Sequence, residues 1–314
     1  MSSLSINEMR AYLSRTLSSV NKNKINGLLA EIDFRNYISE LGFASRVSGG
    51  GWIVRSDARG QYDFAQNTAV IFPETIQPGR DYSNDRTLPE PQRGLHTICA
   101  TFHQIGIKSF FCAATIGEDK KIKWKSTELG LPEAQPYLDF PKSIQGFNER
   151  QRRYNFEKHH TDSSIIPTEA LPEEFSKESL RVSFNTLYFT EPSDVDGLFW
   201  GKERTYPIEI KEKTRAKDPK IGDWFGLDVG PFVKLSFYAA KRGNLHSMFV
   251  VREIDDEQTR NLVSWKYITF EELAQYASWV FQSGGKGMTG GRSATVKIPA
   301  NRFQDLDRNA LESL

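Results

Sequence analysis

The chain has 314 residues, 38% hydrophobic and 26% charged, with 38 aromatics divided among 21 Phe, 11 Tyr and 6 Trp. This is enough for about two domains at ~150 residues each, and too apolar for a disordered chain. Its 41 basic and 40 acidic side chains leave a net charge of +1, so no overall field marks it for nucleic acid, and any basic binding surface has to be local. Two cysteines, Cys99 and Cys112, cannot build a disulfide framework, which suits a reducing interior. No stretch approaches 18 apolar residues, and MSSLSINEMRAYLSR lacks a continuous apolar h-region. We therefore expect no membrane span and no secretory signal, and take the cytoplasm as compartment.

In chain order, helix formers without proline predict a helix over about Gly27 to Leu41, stopped by Gly42. From Gly49, SGGGW and four prolines up to Pro91 read as strands with long loops around Ala69–Phe72. RGLHTICATFHQIGI predicts a helix and a turn near Gly106, then a hairpin with its tip at Gly117–Lys120. Five prolines and the run NERQRRYNFEKHH make residues 130–180 an irregular linking or inserted region. RVSFNTLYFTE, DVDGLFWG and TYPIEIKEK then read as an antiparallel meander. Pro231 opens a helix FVKLSFYAAKR that stops at Gly243–Asn244, followed by a strand HSMFVVREI, a helix TFEELAQYASWVFQ, the loop SGGKGMTGGRS and a polar C-terminus.

Chemistry concentrates on the meander. Residues i and i+2 of a strand share a face, so Glu209 and Lys211 project together while Ile208 and Ile210 turn to an apolar side. Charges on such a strand must be paired or hold a cation. With Asp196 at the start of the preceding strand and the carbonyl of Ile210 nearby, two carboxylates make a hard oxygen site suited to Mg²⁺. An ion there would polarise a phosphodiester and activate a water, with Lys211 orienting that water or neutralising charge on the phosphorane.

These residues resemble the PD-(D/E)XK nuclease superfamily, which includes type II restriction endonucleases and archaeal-type Holliday junction resolvases. SDVDG (Ser193–Gly197) stands for the first half of the motif and EIK (Glu209–Lys211) for the second. The resemblance implies metal binding by Asp196 and Glu209 and action of Lys211 at the water or scissile phosphate. It also implies a helical glutamate ahead of the sheet, which Glu31 matches, beside apolar neighbours and with Arg35 at i+4. The nominal proline is missing: Val195 precedes Asp196, and Asp194 is a competing ligand. The resemblance covers about residues 27–43 and 180–254.

Other signals are weaker. His96, Cys99 and His103 at i, i+3 and i+7, with Cys112 beyond, would compose a four-ligand zinc site, but the spacing fits no standard finger. The glycine-rich loop holding Lys286 and Arg292 lacks the Walker lysine and follows a helix; it is a surface loop or a phosphate contact. Lys234 and Lys241, seven apart on the helix after EIK, would line a backbone groove or a solvated face. Arg150, Arg152, Arg153 and Lys158, with His159 and His160, form the densest basic cluster and the preferred DNA contact.

The expected fold is α/β, a mixed central sheet flanked by helices in the restriction-endonuclease-like arrangement. Residues 1–43 supply the N-terminal helical part of the catalytic core, 44–179 an insertion that reads DNA, and 180–314 the PD-(D/E)XK core and C-terminal segment. The expected activity is that of a Mg²⁺-dependent endonuclease on double-stranded DNA, acting as a homodimer because a symmetric duplex site suits two-fold symmetry. The alternatives are a structure-selective repair or recombination nuclease, and a non-cutting DNA-binding protein on a nuclease-like scaffold.

Overall fold

The computed structural model describes residues 2–56, 67–147, 149, 160–188, 190–241, 243–283 and 294–314. The chain is α/β, with mixed sheets flanked by helices, and divides into two compact units. Residues 1–29 with 49–195 form the first, and residues 30–48 with 196–314 the second. Residues 49–195, which take in most of the stretch expected as an insertion, share the first unit with residues 1–29, which the sequence grouped with the catalytic core.

The first unit opens with α1 (Ile6–Thr16), started by a capping box in which the Ser5 hydroxyl accepts from the Glu8 amide and the Glu8 carboxylate accepts from the Ser5 amide. Helix α2 (Lys22–Glu40) begins here, five residues ahead of the expected start. Then come β1 (Gly51–Ser56), β2 (Thr68–Pro73), α3 (Arg93–Gln104), β3 (Lys108–Ile116), β4 (Ile122–Leu129), β5 (Leu138–Phe140), α4 (Leu171–Leu187) and β6 (Thr190–Val195). The six strands run β5-β4-β3-β2-β1-β6, parallel only between β2 and β3. The turn at Gly106 (φ +76) and the β3–β4 hairpin with its tip at Gly117–Lys120 lie where the sequence puts them.

Helix α4 overturns two expectations. Residues 171–180 are not irregular, and RVSFNTL is helix instead of strand. Proline at N1 or N2 and Glu173 and Glu174 in the first turn suit a helix start. Residues 174–180 are all buried, together with Leu171 and Phe184, so the helix is enclosed on every side and core packing carries the β-forming residues Val182 and Phe184 into it.

The second unit takes the C-terminal part of α2, then β7 (Gly197–Trp200), β8 (Thr205–Lys213), β9 (Ala216–Asp218), β10 (Gly222–Asp228), α5 (Val229–Ala239), β11 (Met248–Ile254), β12 (Leu262–Thr269), α6 (Phe270–Tyr276), β13 (Gln282–Ser283), β14 (Ala294–Pro299), β15 (Gln304–Asp305) and α7 (Arg308–Ser313). A five-stranded sheet has the order β15-β12-β11-β8-β7, parallel between β8 and β11. A four-stranded antiparallel sheet has the order β13-β14-β10-β9. The C-terminus is therefore strands and a short helix, and α6 is half the length of its expected segment.

The five-stranded sheet is covered on both faces. On one, Ile208, Ile210, Met248, Val250 and Trp265 pack with Ala30, Phe34 and Ile38 of α2 and Leu311 of α7. On the other, Phe249, Val251 and Ile268 pack with Leu235 of α5, Leu273 of α6, and Phe225, Leu227, Val296 and Ile298 of the smaller sheet. Among the described residues, no helix is long and apolar enough to cross a membrane.

Candidate active site

The β7–β8 hairpin places the acidic residues. Its ladder runs from Trp200↔Thr205 to Gly197↔Ile208 and ends there. On its outer edge β7 is engaged by Ser48, whose amide donates to the Leu198 carbonyl at 2.9 Å and whose hydroxyl accepts from the Leu198 amide at 2.9 Å. Ile210 lies past the last ladder pair, and its amide donates to Oδ2 of Asp196 at 2.7 Å. Asp196 is 3% exposed, so its carboxylate is fixed by a backbone donor in a dry setting. The N–H and C=O of one strand residue leave along the same edge. The carbonyl of Ile210 therefore emerges on the edge where the Asp196 carboxylate sits.

Glu209 turns the other way from the two isoleucines. Ile208 and Ile210 are in the α2-side core, and Glu209 meets side chains on the α5 side of the sheet. Its carboxylate is 2% exposed and holds two ammonium groups: Lys211 Nζ is 2.6 Å from Oε1, and Lys234 Nζ, brought over by α5, is 2.6 Å from Oε2. A carboxylate this buried needs such partners, because desolvation of an unpaired charge costs several kcal/mol. Lys211 keeps about a third of its side chain exposed, whereas Lys234 keeps a tenth. Lys213 continues the Glu209–Lys211 row two residues on. Burial pushes its ammonium below the ordinary lysine range, opposed by the nearby carboxylate of Asp228. Asp228 itself accepts from the Thr295 hydroxyl at 2.9 Å.

A second charged network ties down the end of β8. The Glu212 side chain keeps only 4% of its surface exposed; it accepts two hydrogen bonds from Arg260, both at 2.8 Å, and one from Arg252 at 3.0 Å. Arg252 also pairs with Asp33 of α2 at 3.0 Å. Strand β8 is thus clamped to β11 and α2 one residue beyond Lys211.

The other expected site residues fall as follows. Glu31 is buried on α2, next to the core residues Ala30 and Phe34. Asp194 is exposed on β6 of the first unit, in register with Trp52. Lys234 does not line an open groove, since it is nearly buried at Glu209, and Lys241 lies with its ammonium 4.6 Å from the Phe237 ring centroid. Arg150, Arg152, Arg153, Lys158, Lys286 and Arg292 lie outside the described residues. The zinc arrangement does not form: Cys99 and Cys112 are buried thiols raised by desolvation, Cys99 to about 12, while His103 is exposed. Among the described residues no three His, Cys, Asp or Glu side chains form a group able to hold an ion, so Glu31 does not join Asp196 and Glu209 in one. Any cation here would rest on two carboxylates, the Ile210 carbonyl, water and substrate.

The role of Lys234 at Glu209 and the clamp at Glu212 escape sequence reasoning. The chain matches no family model, no curated protein and no solved structure.

Proposed function

We propose that this chain is a Mg²⁺-dependent DNA endonuclease with a restriction-endonuclease-like second unit, cutting double-stranded DNA as a homodimer in the manner of type II restriction enzymes. One observation carries the reading: past the end of the β7–β8 ladder, Asp196 is anchored on the Ile210 amide, and the residue before Ile210 on β8, Glu209, is paired with Lys211 at 2.6 Å. The donor set suits magnesium, which takes one or two carboxylates and keeps other positions for water and phosphate oxygens. Asp196, Glu209 and the Ile210 carbonyl would hold it. When bound, such an ion supplies Lewis acidity toward the scissile phosphate and lowers the pKa of a water.

The chain's own groups do the rest. Lys211 is exposed enough to meet substrate, and its ammonium offsets negative charge gathering on the phosphorane oxygens. The Glu212 clamp holds the end of β8 and with it the backbone of Lys211, so the amine would meet a bound phosphate with little reorganisation. Lys241 and the basic cluster at Arg150, Arg152, Arg153 and Lys158, with Lys286 and Arg292, are assigned to DNA phosphates.

The test is incubation of the purified protein with plasmid DNA, with and without Mg²⁺. Linear products that need Mg²⁺, vanish with EDTA and vanish in Glu209→Gln and Lys211→Met support the reading. Cleavage indifferent to EDTA, or full activity in both variants, overturns it. A second reading has one observation in its favour: both Glu209 oxygens already carry an ammonium, so the two carboxylates and two lysines balance without a metal. A non-cutting DNA-binding protein on this scaffold would bind duplex with a steep salt dependence and hydrolyse nothing.

A further inference from the structure

Glu209 is unusual in having each oxygen committed to a different lysine, one from its own strand and one from α5. The carboxylate and its two ammoniums together carry one excess positive charge. A magnesium ion binds carboxylate oxygen at about 2.0–2.1 Å, and it would find the Glu209 oxygens already capped at 2.6 Å by positive groups. One ammonium must give way. Lys211 keeps about a third of its side chain exposed. Lys234 reaches Glu209 from a packed helix with its side chain one-tenth exposed.

We propose that Lys234 is a positioning residue that acts as the resident counter-ion of Glu209: it competes with the divalent ion for that carboxylate and thereby sets the metal concentration at which the site loads. The inference rests on the hydrolytic reading for the location of the ion. Removing one positive charge within a few ångströms of a divalent ion, in a setting drier than water, is expected to tighten metal binding about tenfold or more. Holding Glu209 in place while no metal is present is the corresponding gain, since an unpaired buried carboxylate is costly.

The experiment titrates Mn²⁺ alone, without DNA, into the full-length protein and reads free Mn²⁺ by electron paramagnetic resonance for wild type, Lys234→Met, Lys234→Arg and Asp196→Asn. The expected result is binding about tenfold tighter in Lys234→Met and near wild type in Lys234→Arg, which keeps the charge. Binding in Lys234→Met equal to or weaker than wild type overturns the inference. Should that variant not fold, the wild-type Lys234 ammonium resonance, followed by ¹⁵N NMR, decides instead: it shifts on saturation with Mg²⁺ if Lys234 leaves Glu209, and an unchanged resonance overturns the inference. Binding that depends on Asp196 but not on Lys234 refutes this inference alone. No Mn²⁺ binding in either wild type or Lys234→Met removes the hydrolytic reading and this inference together.

Discussion

Asp196→Ala and Asp196→Asn separate the structural duty of this residue from its chemical one. Asp196 is 3% exposed, and the Ile210 amide that donates to it at 2.7 Å belongs to a residue 1% exposed. Alanine leaves that amide unsatisfied in a dry setting, which costs about 1–3 kcal/mol, toward the upper end because the lost acceptor is charged. Asparagine offers a carbonyl oxygen at the same place, so its cost stays near 1 kcal/mol or below. Both remove the negative charge that the proposed ion needs. Urea unfolding should therefore rank wild type and Asp196→Asn together above Asp196→Ala, while the plasmid assay finds neither variant cutting. Equal stability of Asp196→Ala and wild type would refute the view that the side chain anchors Ile210. An Asp196→Asn protein that cuts at wild-type rate would refute its role as ligand.

Glu212→Ala strands Arg252 and Arg260 without their shared carboxylate and should cost about 3 kcal/mol, measured by urea unfolding. A loss below about 1 kcal/mol would mean that the clamp is screened by water. Burial lowers the His246 imidazole pKa from 6.5, so the unfolded chain takes up the proton more readily than the native one. Native stability should consequently decline as pH falls from about 6.5 toward the lower native value, and His246→Gln should flatten that slope. Cys99, pushed to about 12, and Cys112 are buried thiols and should ignore a thiol reagent at pH 8 in the native protein, then react upon unfolding.

The alternation of strand β8 was legible in the sequence, because a period of two fixes that Glu209 and Lys211 share a face against Ile208 and Ile210 whatever surrounds them. The β3–β4 hairpin and α3 were legible for the same local reasons, with Gly106 and Gly117 marking their turns. Helix α4 was not, because Val182, Phe184 and Tyr188 resemble a strand, and a helix buried on all sides over 174–180 leaves no one-faced apolar period to set against them. Lys234 could be placed on a helix but not at Glu209, since that pairing depends on how α5 crosses the sheet, which side-chain spacing does not encode. The short strands β9, β13 and β15, of two or three residues each, carry too little periodicity to be seen before their partners are known.

The most direct measurement is a crystal soaked with Mn²⁺ and imaged by anomalous scattering. The hydrolytic reading predicts one strong peak bonded to carboxylate oxygens of Asp196 and Glu209 and to the Ile210 carbonyl, with Lys211 alongside. A map without a peak there at saturating Mn²⁺, with both Glu209 oxygens still held by Lys211 and Lys234, would contradict it.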